Sequence, residues 1–152
     1  MKKILIAALL VSASIPAMAK DNPWVISNDN VNKECSACHM AFQAPFLPAR
    51  SWQAIMGDLP NHFGEDASLT DPAVVQDITD YLVANAGDAN GKMNGWVKRI
   101  PPDKTPLRIT ETRGWIGAHS EEVSQRMWKK AGLKSNCVAC HTGAAKGVFG
   151  DD

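Results

Sequence analysis

The chain has 152 residues, and its Lys and Arg together number 16 against 16 Asp and Glu, so the formal charge is zero. That length fits one domain and gives no reason to expect two. A chain with no excess of positive charge is not built for bulk nucleic-acid binding.

At the start, Lys2 and Lys3 precede a short apolar run from Ile4 to Val11, and Ala17-Met18-Ala19 supplies small residues on either side of a cleavage point. The pattern predicts a signal peptide over residues 1–19, removed on export, and a single domain over residues 20–152. The apolar run is too short to span a bilayer, and Ser12, Ser14 and Pro16 interrupt its continuation. Losing Lys2 and Lys3 tips the mature chain slightly acidic.

The elements that follow read as helices and loops, with no run of strand alternation. A helix is expected to start near Ser27 or Asn28 and to carry the first cysteine pair. Pro48 suits the first turn of a second helix, where Trp52, Ile55, Met56 and Leu59 recur on one face until Pro60 ends it. Asp71-Pro72 is an N-cap followed by proline at the first helical position. From there Val74, Val75, Ile78, Tyr81 and Leu82 repeat with helical period, and Gly87 supplies the stop. Residues 88–106 are rich in Asn, Gly and Pro and read as a loop joining two halves. A further helix is expected over about Thr112 to Ala131, broken near Gly117, with Trp115, Val123, Met127 and Trp128 inward and Gly132 closing it. The second cysteine pair then opens a last short helix.

Charge is unevenly spread along this path. Residues 51–91 hold Asp58, Glu65, Asp66, Asp71, Asp77, Asp80 and Asp88 with no Lys or Arg, whereas residues 92–134 are dominated by Lys and Arg. The asymmetry suggests a dipole that docks different partners at its two ends. A competing use of Arg99, Arg108 and Arg113 is to neutralise acidic groups of a bound cofactor.

Four cysteines in an exported chain ordinarily suggest disulfides, but their placement argues otherwise. They form Cys35-Ser36-Ala37-Cys38-His39 and Cys137-Val138-Ala139-Cys140-His141. C-x-x-C-H is the attachment sequence for c-type haem: the thiols of one helical turn form thioethers to the porphyrin vinyl groups, and the adjacent imidazole reaches the iron. Two such motifs predict two haem c groups, bound through Cys35, Cys38, Cys137 and Cys140 with His39 and His141 as proximal ligands. Structural zinc does not require histidine directly after both pairs. A thioredoxin-like dithiol lacks its alternating strands and helices here.

The chain has four histidines, so His62 and His119 are the ones left for the opposite faces of the irons. Sequence proximity assigns His62 to the first haem and His119 to the second; a crossed arrangement is the alternative. Methionine is the rival ligand. Met40 adjoins the proximal histidine, Met56 and Met127 sit at core spacing, and Met93 in the Gly- and Asn-rich loop is the one not set aside. Imidazole on both faces predicts low-spin centres at lower potential than Met/His cytochromes. The first motif precedes its spare histidine and the second follows it, an order that puts the haems face to face across the middle. Phe42, Phe46, Trp52, Phe63, Trp96, Trp115 and Trp128 are expected to pack against them, without a redox role of their own.

With these residues in place, the chain resembles the dihaem cytochrome c family known as DHC. The stretches that carry the likeness are Glu34 to His39, Leu47-Pro48-Ala49-Arg50-Ser51-Trp52, Leu59 to Ala67, and Arg108-Ile109-Thr110 leading to His119 and the second motif. The resemblance implies a mostly α fold packed around two covalent haems, and a periplasmic bis-histidine electron carrier rather than an enzyme. It also implies redox partners: a membrane cytochrome b as donor and a soluble monohaem cytochrome of the SHP type as acceptor. The alternatives are a small dihaem subunit of a terminal reductase, whose motifs usually lie closer together, and a dihaem peroxidase, which needs an open iron and a longer chain.

Overall fold

The structure, a computed structural model, describes residues 22–91 and 93–150. The expected signal peptide, residues 1–19, lies outside the described residues. Among these residues the fold is helices and turns: α1 (Ala49–Met56), α2 (Pro72–Ala84), α3 (Arg113–His119) and α4 (Gln125–Ala131), joined by short 3-10 turns and loops.

The N-terminal half is built on α1 against α2. Helix α1 buries Ser51, Trp52 and Met56 and ends at Gly57, before Pro60. Leu59-Pro60-Asn61 is a separate 3-10 turn, so proline shapes the next turn instead of stopping the helix. Helix α2 starts as its sequence dictates: the Asp71 carboxylate accepts from the Ala73 amide at 2.8 Å, and Pro72 occupies the first turn. Ile78 and Leu82 point inward at 0% and 3% exposure and close a core with Val31, Leu47, Trp52, Met56 and Ala86. The Trp52 indole donates to the Ala44 carbonyl at 2.8 Å, which satisfies its one polar atom inside that core.

Helix α2 stops at Ala84, with Asn85 as its C-cap and not Gly87. Gly87 serves a close approach: a Cβ there would stand 2.5 Å from the Pro45 carbonyl oxygen and 2.5 Å from Val97 Cγ1. Gly87→Ala is therefore expected to cost about 1–3 kcal/mol, the usual scale for overpacking. A lowered denaturation midpoint of the holoprotein checks it.

The loop over 88–106 is pinned at several described positions. Asn94 donates to the Pro45 carbonyl at 2.7 Å and accepts from the Trp96 and Val97 amides. Arg50 of α1 donates to the carbonyls of Lys104 at 2.8 Å and Pro101 at 3.1 Å, and pairs with Asp88 at 3.6 Å. The second half then folds as two short helices instead of one broken helix. The break falls between His119 and Ser124, not at Gly117, because Ser124 caps a new helix start by accepting from the Met127 amide. Gly132, at φ 77°, ends α4 as expected. The two halves meet where the buried Gln43 side chain donates to the Ala144 carbonyl at 2.9 Å.

Candidate haem sites

The two cysteine pairs sit differently on the backbone. At the second motif Cys137–Ala139 forms a 3-10 turn, and the His141 amide donates to the Cys137 carbonyl at 2.8 Å. At the first, the helical turn Val31–Cys35 ends before Cys38 and His39, which follow in a turn of their own. All four thiols are free of disulfides. Burial, with Glu34 alongside, pushes the Cys35 thiol up to about 11, and burial raises Cys137 as well. A redox-active dithiol needs the opposite shift.

The spare histidines come to the motifs that sequence proximity assigns them. His39 and His62 stand with ring centres 6.2 Å apart and planes 17° from parallel. His119 and His141 are also 6.2 Å apart, with planes crossed at 87°. An imidazole nitrogen binds a metal at about 2 Å and its ring centre lies roughly 1.1–1.2 Å beyond, so two rings on opposite sides of one ion stand about 6.2–6.4 Å apart. Both pairs meet that spacing. Among the described residues no three His, Cys, Asp or Glu side chains gather to hold a metal by themselves.

Hydrogen bonds orient two of these rings. A carbonyl can only accept, so Nδ1–H of His39 donates to Met40 O at 2.7 Å and Nδ1–H of His119 donates to Trp115 O at 2.8 Å. That tautomer leaves Nε2 as the ligating nitrogen. Burial, then His39 and Arg108 nearby, hold the His62 imidazole below its ordinary pKa, in the neutral form that offers a lone pair.

One cavity of about 1120 Å3 is lined by both motifs and both spare histidines. The aromatics expected to pack against the haems, Phe42, Phe46, Trp52, Phe63, Trp96, Trp115 and Trp128, all reach it. Phe149 reaches it too, 5.9 Å from His141; its place near the chain end carries no signal in the sequence. Of the arginines expected near the cofactor only Arg108 lines the cavity, where its guanidinium lies 4.1 Å above the Phe63 ring; Lys134 lines it as well. Phe63 itself is held at φ 56° beside His62, a backbone region costly for a side chain of that size. Met93 is 62% exposed and lies off the cavity. Met127, expected inward, is 43% exposed and faces the cavity, because α4 turns that side toward the cofactor space instead of another helix.

Comparison with curated proteins gives no match. The family model for dihaem cytochrome c matches residues 31–149. Among solved structures, a diheme cytochrome c from Rhodobacter sphaeroides is 53% identical with a TM-score of 0.78, over 82% of this chain and 98% of that one. A second structure, of DHC purified from Rhodobacter sphaeroides, is 53% identical with a TM-score of 0.71, over 82% and 99%. A diheme cytochrome type c from Shewanella baltica OS155 is 38% identical with a TM-score of 0.66, over 83% and 89%. The free thiols, the paired imidazoles and the shared aromatic cavity fit what those likenesses require, and the chain belongs to the dihaem cytochrome c family, electron-transfer proteins with two covalently bound haem c groups.

Proposed function

We propose that this chain is an exported electron carrier in which Cys35 and Cys38 tether one haem c and Cys137 and Cys140 the other. His39 and His62 would hold the first haem iron, and His119 and His141 the second. The observation that carries this reading is the 6.2 Å separation of the rings in both pairs. When bound, haem supplies a one-electron iron couple. The chain's residues orient the imidazoles, fill both axial positions and wall the cofactors with aromatic side chains. With each iron held by two imidazoles, the protein would pass charge through the haems rather than bind a substrate at them.

In this reading electrons pass from a membrane cytochrome b to a soluble monohaem cytochrome of the SHP type in the periplasm. Among the described residues no helix is long and apolar enough to cross a membrane. The surface supports two docking sites of opposite sign. Glu65 and Asp66 line the cavity on the first-haem side, while Arg126, Lys129 and Lys130 are exposed on α4 beside the second. Transfer to an oppositely charged cytochrome is expected to slow as salt rises through the range in which the Debye length falls from about 30 to 3 Å. Stopped-flow rates independent of ionic strength would remove the two-site docking.

The reading as a whole is tested by a redox titration and spectrum of the holoprotein. Two low-spin couples are expected, both below Met/His potentials, without the charge-transfer band of methionine-ligated ferric haem. That band, or ready carbon monoxide binding by the native ferrous protein, would overturn the ligand set.

A further inference from the structure

The two histidine pairs share a spacing but not an orientation, since one pair of planes is 17° from parallel and the other is crossed at 87°. What holds the crossed pair is visible in α3. Trp115 and His119 are four apart on that helix and so share a face. Their rings lie 4.3 Å centre to centre and 15° from parallel, and the His119 Nδ1–H donates to the Trp115 carbonyl at 2.8 Å. One residue thus restrains the imidazole twice: its ring fixes the plane, and its carbonyl fixes the rotation within that plane.

Trp115 is itself held firmly. It is 7% exposed, and its amide donates to the Oγ1 of the buried helix cap Thr112 at 3.3 Å. Trp128 packs at 5.5 Å, and the Lys134 ammonium lies 5.9 Å from the ring centre. Among the described residues nothing comparable faces His62. Its aromatic neighbour Phe63 meets it at 64°, edge on.

We propose that Trp115 is a positioning residue that holds the His119 ring plane across that of His141, and thereby makes the second haem iron electronically different from the first although both have the same ligands.

The reason lies in the direction of imidazole π donation, which is perpendicular to the ring plane. Two parallel rings raise the same iron d orbital and split it from its partner, which quenches orbital angular momentum. Two crossed rings act on both orbitals alike and leave them nearly degenerate, so the ferric g anisotropy is large. This inference rests on the ligand assignment proposed above.

The test is electron paramagnetic resonance of the ferric holoprotein at low temperature. The native protein is expected to show two low-spin signals, one rhombic and one with a much larger gmax. His62→Met is expected to displace the rhombic signal and leave the other in place, which assigns them without any change at Trp115. In Trp115→Met, which keeps an apolar side chain but loses the flat face, the large-gmax signal is expected to move toward the rhombic type or broaden, with the first-haem signal as internal control. Trp115→Phe, which restores a ring, is expected to recover it. Haem content at two per chain is verified for each variant.

Two rhombic signals in the native protein would overturn the crossed geometry. A large-gmax signal that is the same in Trp115→Met would overturn the role of Trp115. Failure of the ligand assignment looks different: high-spin signals in the native protein, or carbon monoxide binding to it.

Discussion

In His119→Ala holoprotein, one ferrous haem per chain is expected to bind carbon monoxide, against none in the native protein. His119 supplies the imidazole opposite His141 at 6.2 Å, and the chain's other two histidines stand at the first haem. The nearest aromatic is Trp115, which offers no ligating lone pair. Met127 lines the cavity, so capture of the iron by its thioether is the instructive exception. It would appear as a low-spin centre at raised potential with no carbon monoxide bound. His62→Ala is expected to do the same at the first haem and leave the second unchanged. A variant with a native spectrum in both haems would show that the replaced imidazole is not a ligand.

A larger effect is expected on the fold when the second haem cannot be attached. In the Cys137→Ser, Cys140→Ser double variant, α3 and α4 should lose their amide protection while α2 keeps most of its own. The buried core runs from Val31 to Ala86, and of the four α-helices it draws on α1 and α2 only. Among the described residues beyond Ala86 the buried apolar ones are Val97, Trp115, Ala131 and Ala144, too few to hold two short helices together. Isolated helices of that length are not stable in water. They persist by packing against the cofactor space that Trp115, Trp128 and Leu133 line. Hydrogen exchange followed by mass spectrometry reads both halves at once. Protection of α3 and α4 equal to the native protein would contradict this account.

Features governed by local chemistry are legible in the residues themselves. Asp71-Pro72 marks a helix start because the cap and the fixed proline φ act within one turn, and Gly132 marks a stop because its φ of 77° suits glycine. The cysteine pairs and the four histidines are equally plain, since their chemistry resides in residue type and spacing. The helix break at 120–124 is harder to place. A glycine inside a helix is tolerated, so Gly117 does not end one, whereas a serine cap that begins a new helix is decided by its tertiary surroundings. Met127 follows the helical period yet faces the cavity, because periodicity marks an apolar face without saying what covers it. The i,i+4 spacing of Trp115 and His119 is present in the sequence as a signal of contact. The ring angle at the second site is not, since it arises from packing among α3, α4 and the last turns.

The bond from Gln43 to the Ala144 carbonyl joins positions 101 residues apart. Loop closure over such a distance is slow and becomes favourable only once both ends are formed, so it belongs to the end of folding. Until the final turn docks, the cavity that both cysteine pairs line lacks this tie across its halves. Docking of the last turn then closes the chain over the cavity, with Phe149 packed on Trp24 and Phe46 beside the same seam.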